Sequence, residues 1–283
     1  MLTRREFGTV VVGAMIPQVV GGVHLGVQTY SFRDLPRTES GDAIGPVIAA
    51  MKSCGLTECE LYAPQVEPAK LPSEELRTWR VKTPIEHWRA IRRRFNDAGI
   101  TVYAFNYSFS SSFSDAEIDR GFDMARALGA QIIAASATLE SARRTAPFAD
   151  KHRMIVAMHG HSNVKDPNQF ATPASFAAAQ AMSKYFRINL DIGHFTAADF
   201  DAVPFIREHH AAITNLHLKD MKRAVPESYV PWGQGDAPIR DVLQLLKKER
   251  WPIRAYIEYE YRGAGTPPEE VKKCLEYVRQ ALA

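Results

Sequence analysis

The sequence predicts a single α/β domain with the architecture of a closed (β/α)8 barrel. Eight short apolar runs alternate with helical segments along the 283 residues, without a break in composition. Repeated strand–helix units predict a parallel sheet, and a closed barrel of eight units needs about 250 residues. Candidate functional residues follow four of the runs, which favours a barrel over a doubly wound open sheet, where they would gather at one switch point. We expect the barrel to span residues 25–283.

The strands are predicted from apolar runs of four to eight residues, and the helices from amphipathic spacing between stop signals. Gly55, Gly99 and Gly129 follow helices as stops, and Ser114 is a predicted N-cap. Segment 64–83 is polar and contains prolines, so we expect a long functional loop there. The predicted strands are 25–30, 56–62, 100–106, 130–137, 153–159, 186–191, 212–217 and 254–260. The predicted helices are 42–53, 84–98, 114–128, 139–151, 172–184, 197–209, 238–249 and 266–283.

Residues 1–24 differ from the rest of the chain and resemble a twin-arginine export signal. Arg4 and Arg5 precede a short apolar run over residues 8–16. The run is too short to span a bilayer, which needs about 20 residues. We expect export to the periplasm, although no clear cleavage site is present, and a cytoplasmic protein is the alternative.

Composition excludes several classes of partner. Apolar content is 46%, charged content is 24%, and the net charge is +3 at pH 7. There is no basic stripe of the kind that binds nucleic acid, so neither nucleic acid nor a membrane is expected as a partner. Cys54, Cys59 and Cys274 fit no zinc spacing and are expected to be buried thiols rather than a bridge.

The candidate functional residues lie at or just beyond the predicted ends of strands. In an extended chain, residues at i and i+2 share a face, so such pairs reach the same cavity. Two carboxylates inside a barrel need a cation to be tolerated, and mixed imidazole and carboxylate ligands suit Mn²⁺, Zn²⁺, Co²⁺ or Fe²⁺ rather than Ca²⁺. Taken alone, Asp191 and His194 favour a capped turn with a loop histidine, but four strand ends of this kind together indicate one site. The strand-end residues are His159 and His161, Asp191 and His194, His217 and Lys219, and Glu258 and Glu260.

The chain resembles the xylose isomerase-like TIM-barrel superfamily, the sugar phosphate isomerases/epimerases. The matching motifs are GVQTYSFR at 26–33, LDIGH at 190–194, HLKD at 217–220, GQGD at 233–236 and IEYE at 257–260. The resemblance implies a divalent metal held by Glu, Asp, His and Glu from strands five to eight. Asp191, His217 and Glu258 match these positions, whereas His159 replaces the first glutamate. Because the two glutamates also move protons in the family's ketose 3-epimerases, this replacement puts the two-carboxylate mechanism in doubt.

Further roles are assigned as hypotheses. The candidates for acid–base work or for holding substrate hydroxyls are His161, His194, Lys219 and Glu260. Tyr30, Glu60 and Trp232 are candidate substrate contacts, with core packing, a structural ion pair and packing onto a helix as their alternatives.

Three functions remain open at this stage. The first is a metal-dependent sugar isomerase or epimerase that transfers a proton next to a carbonyl. The second is a metal-dependent lyase or hydratase acting on 3-keto glycosides, and the third is a non-catalytic carbohydrate-binding barrel. All three have a small sugar or sugar derivative as ligand. A homo-oligomer is left open, because many barrels of this kind pair through their helices and the sequence identifies no interface.

Overall fold

The computed structural model describes residues 19–37 and 41–283 and contains a closed parallel barrel. Strands β2 to β9 are hydrogen-bonded in sequence order, and β2 also pairs with β9. The predicted (β/α)8 barrel is therefore confirmed. The strands are β1 Val19–Val20, β2 Val23–Gln28, β3 Glu58–Tyr62, β4 Thr101–Asn106, β5 Ile132–Ala135, β6 Ile155–His159, β7 Phe186–Asp191, β8 Ile213–Leu218 and β9 Arg254–Ile257.

The barrel closes where His24 in β2 pairs with Arg254 in β9 and Val27 pairs with Ile257. Strand residues such as Leu25, Ile133 and Leu216 are buried, because helices cover the outer face of the sheet and side chains fill the interior. Successive side chains alternate between these two layers. This alternation sends every second residue of a strand into the barrel, and at the carboxyl ends those residues form the candidate site.

Ten α-helices occur in the described part of the chain and surround the barrel. The predicted Ser114 cap is confirmed, since its hydroxyl accepts the Glu117 N–H and the Glu117 carboxylate accepts the Ser114 N–H. Gly129 ends that helix with φ +81°, a conformation that a side chain disfavours. The helices are α1 Ile44–Cys54, α2 Ser73–Lys82, α3 Ile85–Asp97, α4 Asp115–Leu128, α5 Leu139–His152, α6 Pro173–Gln180, α7 Ile192–Ala197, α8 Ala202–His209, α9 Ile239–Glu249 and α10 Pro267–Leu282.

The prediction of a loop over residues 64–83 is wrong, because this segment contains helix α2. None of the side chains of α2 is buried, so the apolar period that marks a packed helix is absent. Two arginines anchor it instead: Arg77 pairs with Glu117 at 2.6 Å and Arg80 pairs with Glu67 at 2.7 Å.

The predicted helix over 197–209 is also corrected, because two helices occupy this region. Helix α7 begins directly after Asp191, whose carboxylate accepts the backbone N–H of His194 at 2.8 Å. Asp199 has φ +66° and lies between α7 and α8. His194 therefore lies on a short helix rather than in a loop, and Asp191 does cap a turn.

The predicted leader lies largely in residues 1–18, outside the described residues. Residues 19–24 of that range belong to a hairpin, in which β1 pairs antiparallel with the start of β2. The three cysteines are free and buried, as expected. No helix in the described ranges is both long and apolar enough to cross a membrane.

Candidate metal centre and substrate cavity

A cavity of about 400 Å³ opens at the carboxyl ends of the barrel strands, where (β/α)8 enzymes hold their active sites. A larger groove of about 780 Å³, lined by Arg92 and Arg126 among others, lies outside the barrel and contains none of the predicted residues. The cavity at the strand ends is lined by Gln28, Tyr30, Tyr62, Asn106, Ser108, Ser136, His159, His161, His194, His217, Lys219, Glu227, Tyr229, Glu258 and Glu260.

Four of the predicted residues meet at the floor of this cavity. His159 ends β6, Asp191 ends β7, His217 lies in β8, and Glu258 follows β9. Each offers one ligand atom, and these atoms all lie within 4.8 Å of one another. The strand register explains the meeting, because Asp191 pairs directly with His217 across β7 and β8. We call these four residues the metal cluster.

The metal cluster has the free ligand atoms that a cation needs. Each member of the metal cluster contributes one of the buried atoms that lack a hydrogen-bond partner in the described part of the chain: Nδ1 of His159, Oδ2 of Asp191, Nδ1 of His217 and Oε2 of Glu258. Nδ1 of His217 lies 2.8 Å from Oε2 of Glu258, but the angles are not those of a hydrogen bond. Buried polar atoms are rarely left unpaired, so four of them converging on one point fit a bound divalent ion.

Lys219 brings a positive charge of its own to the metal cluster. Its ammonium nitrogen lies 3.0 Å from Oδ2 of Asp191 and 3.0 Å from Oε2 of Glu258, and it also pairs with Glu260. When ionised, these three carboxylates carry three negative charges against the single charge of Lys219. A divalent cation would neutralise the remainder, so Lys219 and a metal ion are compatible in charge.

The pKa values of the charged groups reflect this crowding. Burial acts to lower the pKa of His217, but the carboxylates of Glu258 and Glu60 raise it well above its usual value. Burial likewise opposes the charge of Lys219, and its carboxylate partners, Asp191 first, raise its pKa. Burial raises the pKa of Asp191 to about 6, whereas His217 and Lys219 overcome burial at Glu258 and hold its pKa well below normal. The site therefore holds positive charge strongly.

A second group of imidazoles lies beside the metal cluster and shares His159 with it. His159, His161 and His194 also place one ligand atom each within 4.8 Å of one another. Burial lowers the pKa of all three imidazoles, and neighbouring positive charge on His217 or Lys219 lowers it further. Nε2 of His161 lies 3.1 Å from the Ser136 hydroxyl. A lowered pKa favours the neutral imidazole, which can bind a cation or accept a proton.

Glu60 is not among the residues that line the cavity, which favours the alternative, a structural ion pair, over a substrate contact. Its side chain is fully buried beneath the metal cluster, and its Oε2 lies 3.1 Å from Nε2 of His217. It forms the structural ion pair that was considered alongside substrate contact. The prediction placed Glu60 near the end of its strand, and strand β3 continues for two residues beyond it.

Tyr30 lines the cavity, but Trp232 does not. The ring of Tyr30 packs edge-on against Tyr62, with centroids 5.0 Å apart, and the guanidinium of Arg33 lies over it. Trp232 packs edge-on against Tyr277 of helix α10, at 5.8 Å, outside the cavity. This position favours the alternative considered for Trp232, packing onto a helix, over stacking on a sugar in this cavity.

Several lining residues were not predicted. Gln28 and Asn106 end strands β2 and β4, so the strand-end rule that found His159 could also have found them. Glu227 and Tyr229 lie in the loop after β8, and the phenol of Tyr229 donates to the Glu227 carboxylate at 2.7 Å. Loop positions of this kind follow no period, so no sequence signal marked them.

Asp220 fixes the loop after β8. Its carboxylate accepts the backbone N–H groups of Gly233, Gly235 and Ala237 at 2.7, 3.0 and 3.2 Å. A Cβ atom at Gly235 would overlap this carboxylate. The motif pair HLKD and GQGD therefore acts as a clasp, which we call the Asp220 clasp, and the loop between its two halves carries Tyr229 to the cavity.

Comparison of the chain with models of protein families identifies its family. A family model described as xylose isomerase-like TIM barrel matches residues 48–281. The chain belongs to the xylose isomerase-like TIM barrel family. The resemblance drawn from the five motifs is confirmed, and within this family His159 stands where the resemblance implies a glutamate.

Individual relatives of this xylose isomerase-like barrel are more distant. An L-ribulose-5-phosphate 3-epimerase of Salmonella paratyphi A is 28% identical over 99 residues, which are 35% of this chain and 34% of that protein. The chain thus matches about a third of the length of this curated relative.

Solved structures agree in fold. That of an L-ribulose 3-epimerase has a TM-score of 0.64 at 14% identity and covers 91% of this chain and 94% of its own. That of a sugar phosphate isomerase/epimerase from Parabacteroides distasonis has a TM-score of 0.61 at 15% identity and covers 90% and 95%. At such identities the likeness establishes the barrel and leaves the activity to be argued from the site.

Proposed function

We propose that this chain is a metal-dependent sugar isomerase or epimerase that transfers a proton next to a carbonyl group. The observation that carries the proposal is the convergence of His159, Asp191, His217 and Glu258 at the floor of a cavity. Family membership supports it, since the curated relative and a solved neighbour are 3-epimerases.

In this proposal, the metal cluster and Lys219 act on the carbonyl oxygen of the substrate. A divalent Mn²⁺, Zn²⁺, Co²⁺ or Fe²⁺ ion held by the four residues would polarise the carbonyl oxygen and acidify the neighbouring C–H bond. Lys219, 3.0 Å from both Asp191 and Glu258, is close enough to donate to the same oxygen as negative charge develops on it. His159 and Glu258 are used in holding the cation and are not free to move protons.

Two partly exposed groups of the cavity are then left as proton carriers. His161 follows β6 and Glu260 follows β9, three strands further round the barrel. An epimerase removes a proton from one face of a carbon and returns it to the other, so it needs carriers on different sides. We assign these roles to His161 and Glu260, and we assign His194 and Tyr30 to holding substrate hydroxyls.

The cavity suits a neutral sugar or sugar derivative. Its lining offers hydroxyl, amide and imidazole groups, including those of Ser108, Asn106 and His194. Among the described lining residues, the ammonium of Lys219 is already engaged with carboxylates. A phosphate group would therefore meet no free cationic side chain there, and uncharged hydroxyls make the better match.

His159 supports a second candidate, a lyase acting on 3-keto glycosides. With a histidine in place of the first glutamate, the centre has one carboxylate base outside the metal cluster that was predicted from the strand ends, Glu260. A β-elimination needs only one base: it removes the proton next to the ketone, a C=C bond forms as the C–O bond to the aglycone breaks, and the protonated base returns the proton to the departing aglycone oxygen. A carbohydrate-binding barrel without turnover is the third candidate.

Solvent exchange followed by NMR separates these candidates. Protein loaded with Mn²⁺, Zn²⁺ or Co²⁺ is incubated in D₂O with a panel of unphosphorylated ketoses and, separately, with 3-keto glycosides. We expect deuterium at the carbon next to the ketose carbonyl, with Glu258→Gln inactive and the exposed-surface control Glu276→Gln unchanged. Aglycone release without exchange into ketoses would favour the lyase. Sugar binding without either reaction would leave the binding protein, and full activity in Glu258→Gln would refute the site.

A further inference from the structure

A layer of carboxamides surrounds one buried carboxylate beneath the metal cluster. Oε1 of Glu60 accepts from Gln28 Nε2 at 2.5 Å and from Asn106 Nδ2 at 2.8 Å. Oε2 accepts from Asn215 Nδ2 at 2.8 Å and from Asn189 Nδ2 at 3.3 Å. Each carboxamide comes from a different strand, so four strands of the barrel contact this one side chain.

The four carboxamides are donors without charge. An ionised carboxylate is purely an acceptor, and here it receives N–H groups from four carboxamides. A fully buried carboxylate would otherwise be costly, and these hydrogen bonds stabilise it. Its negative charge therefore remains available to the one further partner it has, His217.

His217 is the member of the metal cluster that contacts this carboxylate. Its Nε2 lies 3.1 Å from Oε2 of Glu60 and 3.1 Å from Nδ2 of Asn189, while Nδ1 faces Oε2 of Glu258 at 2.8 Å. An imidazole that donates one N–H to a carboxylate presents the lone pair of its other nitrogen. The same carboxylate–histidine arrangement fixes the tautomer and orientation of histidine ligands in metal sites generally.

We propose that Glu60 is a positioning residue of the metal centre. It accepts the N–H of His217 Nε2 and so orients the imidazole with Nδ1 toward the cation, while the four carboxamides hold the Glu60 side chain in place. The inference rests on the proposed cation site but concerns a residue that contacts neither the cation nor the substrate.

The test compares two buried glutamates of the same strand. Glu60→Gln and Glu58→Gln each neutralise a buried carboxylate, but Glu58 bonds to Arg254 and Tyr256, away from the metal cluster. We measure Co²⁺ and Zn²⁺ affinity by calorimetric titration, with circular dichroism as the check on folding. Glu60→Gln should weaken binding by about 10- to 100-fold, the usual effect of removing such a partner, and Glu58→Gln should not.

Unchanged affinity in Glu60→Gln, or equal losses in both variants, would overturn the inference. Absence of cation binding in the wild type would overturn the proposed metal centre itself, so the two failures are distinguishable.

A second measurement needs no substitution and covers the case in which Glu60→Gln fails to fold. NMR of ¹⁵N-histidine-labelled, Zn²⁺-loaded wild-type protein shows which nitrogen of His217 bears the proton. The inference requires a slowly exchanging Nε2–H and a metal-bound Nδ1. The opposite assignment, with the proton on Nδ1, would refute it.

Discussion

The ammonium nitrogen of Lys219 lies 3.0 Å from Oδ2 of Asp191, the same oxygen that Asp191 offers to the proposed cation. A buried lysine thus occupies one edge of the candidate metal centre. It compensates the carboxylates when no divalent ion is bound, and it is positioned to act on the substrate when one is. In the proposed centre, the carboxylates would have two cationic partners, the fixed ammonium of Lys219 and an exchangeable metal ion.

Replacing Lys219 by methionine should make the protein more dependent on metal. Without the ammonium, the buried carboxylates lose a partner, and we expect the metal-free protein to lose about 3–5 kcal/mol of stability. Zn²⁺ should then raise the unfolding temperature more in Lys219→Met than in the wild type, because no ammonium competes for the oxygens. Thermal unfolding with and without Zn²⁺ measures both effects.

The matched control is Lys151→Met, which removes an exposed lysine paired with Asp119. It should change stability by less than about 1 kcal/mol and leave the response to Zn²⁺ unaltered. An identical Zn²⁺ shift in Lys219→Met and the wild type would contradict the shared-oxygen interpretation.

Replacing Gly235 by alanine should open the Asp220 clasp. The added Cβ would overlap the Asp220 carboxylate, so the loop that carries Tyr229 must shift, at a cost of about 1–3 kcal/mol. We expect faster hydrogen exchange over residues 221–236 and an increased KM for the sugar. Gly99→Ala is the control, since its φ of +76° is strained but no atom lies within 4 Å of its Cβ position. Equal exchange in this loop in both variants would argue against the clasp.

The stabilisation that Glu117 gives to the folded protein should be lost in acid. Its pKa is lowered to about 2, first by Arg77 and also by Ser114. Because the folded-state pKa lies below the unfolded value near 4.5, the stabilisation is complete above pH 4.5 and is lost as the pH falls toward 2. Urea unfolding at pH 6 and pH 3 should show a wild-type advantage over Glu117→Gln that shrinks in acid. A constant difference would refute the assignment.

The arginine pair at the N-terminus predicts export. Replacing Arg4 and Arg5 together by lysine should keep the protein in the cytoplasm of a bacterium that has the twin-arginine translocase, because that receptor recognises the paired arginines. Cell fractionation and immunoblotting measure the distribution. Equal periplasmic amounts of wild type and variant, or no export of either, would contradict the prediction.

The sequence was sufficient to predict the barrel and most of the residues around the cavity. Strand alternation brings every second residue inward, so His217 and Lys219 could be placed on one face without coordinates. Strand ends share one rim in a parallel barrel, which brings His159 and Glu258 together although they are far apart in sequence. These inferences depend on regular geometry, and that geometry is present here.

The sequence was not sufficient where contacts depend on particular long-range partners. The carboxamide layer unites Gln28, Asn106 and Asn215 around Glu60, and no local pattern marks an asparagine as its partner. Trp232 was assigned to the sugar because loop conformation follows no period. Helix α2 escaped notice because its attachment is ionic rather than apolar.

The metal content of the purified protein shows whether the metal cluster binds a cation. Purified wild-type protein, His159→Ala and the control His210→Ala, a histidine that stacks on Trp251 away from the metal cluster, are reconstituted with Zn²⁺ or Mn²⁺, desalted and submitted to elemental analysis. We expect about one bound ion per chain in the wild type and in His210→Ala, and a large loss of bound ion in His159→Ala. No retained ion in the wild type, or full retention in His159→Ala, would contradict it.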